Sequence, residues 1–406
     1  MSSSRMAAWG IWLVASIFYA YQYILRVMPN IMLDDIMQQF NIGAAAFGQF
    51  SGIYYIGYSL MHLPIGIMLD RYGPRKVMTG CILMTVAGLM PLIFSDHWFY
   101  PIAGRLLIGM GSSAAILGVF KIIRMTFSEK LFPRMLSFSV MIGLTGAIYG
   151  GAPVSYMREV FGFHFVTYLF ASIGIILALF TYWIIPEVKS EEQTSVMSDI
   201  WQVISNKRVV WTCVFAGLMV GPLEGFADVW GTKFLSSVYK FDRVMAASLP
   251  SMIFIGMCFG SPLLNFIAEK IGNYLAAIIG SGIVMAIVFI SLIVFQLSVE
   301  VLSISFIVTG ICSAYQILAI YKASTYVSEK VAGLTTALAN MIIMTFGYVF
   351  HTTIGGVINM AGGAHSAAAL ELGMIAIPIG LLIGTTGFYA LSLSDKKSII
   401  TTERSD

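Results

Sequence analysis

Arg26, Glu224 and Asp228 are the residues best placed to do chemistry, because each is charged and each falls inside a long apolar stretch. A charge at the centre of a bilayer costs about 2.5–3.5 kcal/mol on insertion scales, so it is expected to face a partner or a wet cavity. In "YAYQYILRVMPN" (19–30), Tyr19, Gln22, Tyr23 and Arg26 follow the i, i+3, i+4 spacing that puts side chains on one helical face. Glu224 and Asp228, in "GPLEGFADVW" (221–230), are four apart and share a face by the same rule. A guanidinium grips a carboxylate through paired N–H···O bonds, and a carboxylate can receive an ammonium or a proton. The three together suggest a clamp for a small carboxylate or zwitterion, with Glu224 or Asp228 carrying the proton. Two plainer readings stand beside it: Arg26 snorkels to the membrane interface, or the three form a structural ion pair.

Other polar residues in apolar stretches extend the candidate site. Histidine as a residue type titrates near neutral pH, which makes His351 a proton-coupling or substrate-binding candidate, or else a satisfied core histidine. Tyr54, Tyr58 and His62 share one face. Tyr315, Gln316, Asn340, Tyr348 and Asn359 are candidates to line the cavity from the second half of the chain. Lys121 and Lys322 fit interface anchors better than ligands.

The elements that hold these residues follow from composition. Of 406 residues, 58% are hydrophobic and only 11% charged, with a mean hydropathy of +0.86. Soluble domains are about 25% charged, so this composition implies a polytopic membrane protein. A span needs about 20 mainly apolar residues. Twelve stretches qualify: spans 1–6 at 8–30, 46–69, 77–95, 99–124, 134–158 and 164–186, and spans 7–12 at 209–232, 246–268, 273–296, 299–325, 333–359 and 367–392. They leave no room for a soluble domain.

Loop charges set the expected orientation. With both termini inside, 17 Lys and Arg are cytoplasmic: Arg5, Arg71, Arg75, Lys76, Lys121, Arg124, Lys130, Arg134, Lys189, Lys207, Arg208, Lys270, Lys322, Lys330, Lys396, Lys397 and Arg404. Four are outside: Arg158, Lys233, Lys240 and Arg243. That bias satisfies the positive-inside rule, and it accounts for the net charge of +3 without invoking nucleic acid. The first apolar run is too long for a signal-peptide core and has no small-residue cleavage site after it. Cys81, Cys213, Cys258 and Cys312 lie in spans at unrelated depths and form neither a disulfide framework nor a metal site. The chain lacks an Asn-x-Ser/Thr sequon, which favours a bacterial inner membrane. With no nucleotide loop, metal-spaced cluster or nucleophile–base pair, no enzyme and no cofactor is expected, and transport energy must come from a gradient.

The chain repeats itself. "GMGSSAAILGVFKIIRMTFSEK" (109–130) matches "GICSAYQILAIYKASTYVSEK" (310–330), and "DRYG" (70–73) matches "EKIG" (269–272). Repeats about 200 residues apart imply two six-helix bundles related by an axis along the membrane normal, with a cavity between them near the midplane. The expected organisation is an N-terminal bundle at 1–186, a polar cytoplasmic linker at 187–208, and a C-terminal bundle with a short tail at 209–406. The half-repeat sets Arg26 opposite a position between Glu224 and Asp228.

"GIMLDRYGPRK" (66–76) resembles the signature between spans 2 and 3 of the major facilitator superfamily, and "RLLIGMGSSAA" (105–115) is similar to that family's span-4 motif. The resemblance covers the whole chain and implies an all-α fold of twelve transmembrane helices in two pseudo-symmetric bundles. It implies that Gly66, Asp70, Arg71, Gly73 and Arg75 latch the cytoplasmic gate, with Gly66 and Gly73 permitting close helix approach and a tight turn. It also implies that Arg105 is either a substrate or coupling residue or a structural anchor. Drug-exporting members carry a Gly-Pro motif in span 5, which "GLTGAIYGGAP" lacks at the expected place, and this disfavours export. The "YQYxLRVxP" segment resembles that of bacterial phagosomal nutrient transporters, which import amino acids. The expected function is proton-coupled uptake of a small carboxylate-bearing nutrient by a monomer whose partners are substrate, protons and lipid. Export of a drug, siderophore or metabolite, or a non-transporting receptor, are the alternatives.

Overall fold

A computed structural model describes residues 2–187 and 197–403. Lys189 and Arg404, counted in the charge bias above, lie outside the described residues, as do the side chains of Arg5, Lys330, Lys396 and Lys397. Among the described residues, eleven helical segments are long and apolar enough to cross a bilayer. One of them, Ala44–Phe94, has 51 residues, about 76 Å at 1.5 Å per residue. That is more than twice the roughly 30 Å hydrocarbon core. It breaks at Gly73, whose φ of 77° and ψ of 161° are not helical, so it forms spans 2 and 3 and the crossings number twelve.

Span 1 is helix Ser2–Ile31, span 4 Phe99–Thr126 and span 6 Phe163–Ile184. Span 5 is made of Phe132–Tyr149 and Ala152–Phe161. Span 7 is assembled from Lys207–Leu218, a π-helical stretch Gly221–Trp230 and Gly231–Ser237. Spans 8 and 9 are Arg243–Ile271 and Tyr274–Val294, and span 10 is Val299–Ser313 with Tyr315–Ser324. Span 11 is Glu329–Met360, and span 12 is Ala367–Met374 with Ala376–Glu403. The expected linker carries a short helix of its own, Met197–Ile204, with Trp201 exposed on it.

Lipid-facing and inward-facing sides are distinguished by what is exposed. Phe94, Ile287 and Ile304 stand out from the surface, where hydrocarbon rather than water would meet them. Polar side chains are turned inward and paired: Trp12 Nε1 donates to Ser139 Oγ at 2.7 Å, joining spans 1 and 5. Small residues let those two helices approach, as hydrogen-bonded interfaces in membranes require.

The two halves meet most closely at the end of the molecule opposite the linker, here the far end. A Cβ on Gly48 of span 2 would lie 2.4 Å from the His351 carbonyl oxygen of span 11, so only glycine allows this contact. On the other flank Ser251 of span 8 abuts Gly151 of span 5. At the linker end Lys121 pairs with Asp70 at 2.7 Å in the first half, and Lys322 with Asp395 at 3.0 Å in the second.

Candidate functional site

The site is built where span 1 lacks one backbone donor. Pro29 sits inside that helix and has no N–H, so the Leu25 carbonyl loses its i+4 donor. Arg105 of span 4 replaces it. Its two terminal nitrogens donate to the carbonyls of Leu25, at 2.6 Å, and of Arg26, at 2.8 Å. Arg105 is buried and both terminal nitrogens of its guanidinium bind the backbone of span 1, while Nε has no partner among the described residues. It fixes the turn from which Arg26 projects.

Span 7 presents the acids. Pro222 cannot continue an α-helical ladder, and the wider π winding runs from Gly221 to Trp230, all ten residues buried. His351 secures it: Nε2 lies 2.5 Å from the Glu224 carbonyl. A carbonyl oxygen only accepts, so Nε2 carries the hydrogen. Its partner is therefore the backbone of the acid-bearing segment rather than either carboxylate.

Arg26 reaches across to both acids, with Nε donating to Asp228 Oδ2 at 2.5 Å and a terminal nitrogen to Glu224 Oε2. Arg26 is 7% exposed, Glu224 1% and Asp228 0%. The snorkelling alternative fails, because the guanidinium points into the protein and bridges its two halves. Tyr55 of span 2 completes the cluster: its hydroxyl meets Glu224 Oε2 and Asp228 Oδ2, and its ring lies 5.2 Å from the guanidinium. The other carboxylate oxygens, Glu224 Oε1 and Asp228 Oδ1, have no hydrogen-bond partner. A tyrosine hydroxyl has one hydrogen and here faces two carboxylate oxygens.

Around this core the expected residues divide. Tyr23 flanks the guanidinium at 5.2 Å, with Tyr19 packed against it. Gln22 accepts from the Tyr54 hydroxyl at 2.7 Å, and Tyr54 stacks on Tyr58, which stacks on His62. Asn340 of the second half meets Tyr58. Gln316 is buried, with Nε2 unpartnered. Tyr315 differs from expectation: its hydroxyl donates to the Ala216 carbonyl at 2.7 Å and its ring is fully buried, so it ties spans 10 and 7 together instead of lining a cavity.

Tyr55 is the residue that sequence reasoning misses. Its signal is the stripe Gly48, Gly52, Tyr55 and Ser59, spaced i, i+4, i+7, i+11 along the face of span 2 that meets span 11.

The linker-end motif forms a connected loop. Asp70 pairs with Lys121 of span 4. Arg75 donates from Nε to the Tyr182 carbonyl at 2.5 Å and lies over its ring at 4.6 Å, tying the turn at Gly73 to span 6. Arg71 stands beside Tyr72. Lys76 binds Glu187 at 2.5 Å and holds that carboxyl below its ordinary range. A Cβ on Gly66 would meet nothing within 4 Å, so the close helix approach expected there is not made in this state.

Twelve helical crossings, two abutting halves and a buried charge cluster between them define a membrane transporter rather than an enzyme. Residues 11–352 match the family model described as Major Facilitator Superfamily. The chain belongs to that superfamily. It is 26% identical over 200 residues to the quinolone resistance transporter of Acinetobacter baumannii, covering 46% of this chain and 44% of that one. It is 23% identical over 430 residues to the uncharacterized transporter YybO of Bacillus subtilis, covering 93% and 92%. The chain spans less than half the length of several curated relatives it matches. Among solved structures, a bacterial homologue of the human lysosomal transporter Spinster, inward-facing and unoccupied, superposes with a TM-score of 0.74 at 17% identity, covering 96% of this chain and 98% of that one. These likenesses establish the fold.

Proposed function

We propose that the protein takes up a small carboxylate-bearing solute, such as an amino acid, by alternating access, with protons as the coupling ion. The observation that carries this reading is the buried Arg26 bridge to Glu224 and Asp228 across the two halves. A substrate carboxylate would take the guanidinium from one acid, and the freed acid would take the substrate ammonium or a proton.

Charge bookkeeping supports proton coupling. Arg26 and Arg105 balance Glu224 and Asp228 when both acids are ionised. An added carboxylate then unbalances a site shielded from water, and an added proton restores balance. The proton has a seat ready, because Tyr55 can donate to one carboxylate and accept from the other only when that other is protonated. Proton and anion therefore favour each other's binding, which is the thermodynamic content of symport. His351, with Nε2 committed to a carbonyl, serves here as a support for Glu224.

The positive-inside bias makes the linker end cytoplasmic. Close contact at the far end then corresponds to a state closed to the outside. Export keeps one specific support, since relatives are described as a quinolone resistance transporter and as multidrug resistance proteins. The deciding experiment is accumulation of labelled amino acids and small organic acids in right-side-out and in inverted membrane vesicles under an imposed pH gradient. Uptake into right-side-out vesicles, driven by outside acid and abolished by Glu224→Gln, is expected. Accumulation only in inverted vesicles would assign export instead.

A further inference from the structure

Above the buried cluster, at the far end, the two helices that carry it continue as facing ladders. Asn30 is one turn beyond Arg26 on span 1, and Thr232 one turn beyond Asp228 on span 7, about 5–6 Å nearer the surface. The next turn reverses the charge. In the buried rung the first half supplies the cation and the second the anions. At the rim, Asp34 of the first half meets Lys233 of the second at 2.6 Å and Arg243 at 4.0 Å.

These residues and Arg158 line a small open cleft with a cavity volume of about 30 Å³, room for a carboxylate group rather than a whole solute. Arg158 is neutralised from behind by Asp35, which accepts two hydrogen bonds of 2.6 Å. Lys233 and Arg243 are left to share the single carboxylate of Asp34, so the cleft is one negative charge short. Its floor holds two polar atoms without partners, Asn30 Oδ1 and Thr232 Oγ1, each on a residue more than nine-tenths buried.

We propose that this cleft is a second, outer binding site for a carboxylate-bearing solute, and that occupying it opens the far end. The incoming carboxylate takes the donors of Arg243 and Lys233 that Asp34 now holds, and the Thr232 hydroxyl on the floor receives it. Asp34 then no longer ties the first half to the second. The Asp34 side chain is 38% exposed, so an incoming anion can reach the pair it makes. The inference rests on the uptake reading for its direction, but it uses none of the residues of the central cluster.

The test is the rate at which a membrane-impermeant maleimide, added outside, labels Ser251→Cys in a cysteine-free protein. Ser251 is buried between the halves at the far end, outside both sites. Asp34→Asn is expected to speed labelling at least about fivefold, the population shift that losing one part-buried pair brings. Acetate is expected to speed it in the parent, while acetamide and isoionic chloride do not, and Arg243→Gln is expected to remove the acetate effect. The acetate effect should survive in Arg26→Met/Glu224→Gln, so failure of the central clamp leaves this result standing. Labelling unmoved by Asp34→Asn, or an acetate effect that needs Arg26 but not Arg243, would overturn the outer site.

Discussion

Replacing Arg26 with methionine keeps side-chain bulk and removes the one cation that touches Glu224 and Asp228, both essentially unexposed. Breaking a buried pair by removing one partner costs about 3–5 kcal/mol, because the other partner is left charged and dry. At about 2 °C per kcal/mol for a large chain, the apparent melting temperature of the purified protein should fall by about 6–10 °C. The loss should shrink as pH is lowered, since a protonated carboxyl needs no cation, and grow as pH rises. Adding Glu224→Gln and Asp228→Asn removes the stranded charges, and neutral replacements of a buried ion triad are often tolerated or stabilising. The triple variant should therefore recover most of the melting temperature and still fail to transport. Differential scanning fluorimetry across pH, paired with vesicle uptake, reads both quantities. Arg26→Met melting like the parent at every pH would refute the burial argument, and a transporting triple variant would refute the functional one.

Three further outcomes follow from the same geometry. Tyr55→Phe removes a hydroxyl hydrogen-bonded to charged groups, worth about 1.5–3 kcal/mol; the protein should fold, bind substrate, and lose the dependence of uptake on an imposed pH gradient. Arg105→Ala should destabilise the protein by leaving the Leu25 carbonyl without a donor, and Pro29→Ala added to it should restore part of the loss by returning the missing N–H, as melting of the four-member mutant cycle would show. Gly48→Leu places side-chain atoms against the His351 carbonyl and should hold the far end apart, giving faster outside labelling of Ser251→Cys and no turnover.

Much of this architecture is legible in the amino-acid chain itself. The twelve spans follow from apolar length, and the Arg26–Glu224–Asp228 meeting follows from helical spacing plus the half-repeat. What sequence alone does not yield depends on which faces touch. Tyr54 and Tyr58 stand out as one polar face of span 2, whereas Tyr55, about 100° away, sits on the glycine stripe that meets span 11. The role of Arg105 is recoverable from Pro29, since a missing N–H predicts a carbonyl in need of a donor, but not which residue supplies it. Tyr315 reads as a lining residue because a buried hydroxyl and a cavity-facing one have the same letter. The rim pairing of Asp34 with Lys233 joins two helices across 199 residues of chain, and no local pattern announces it.

The most direct test of the central claim changes the ligand rather than the protein. Ligand binding to the folded state raises apparent stability by RT ln(1 + [L]/Kd), so thermal shifts of the purified protein should reveal even millimolar binders. A panel of amino acids and small organic acids is compared with the methyl ester and amide of each. The account predicts stabilisation by one or more free carboxylates and none by their esters or amides. Equal stabilisation by an ester, or shifts only with neutral or cationic compounds, would contradict the assignment of Arg26 as a carboxylate receptor.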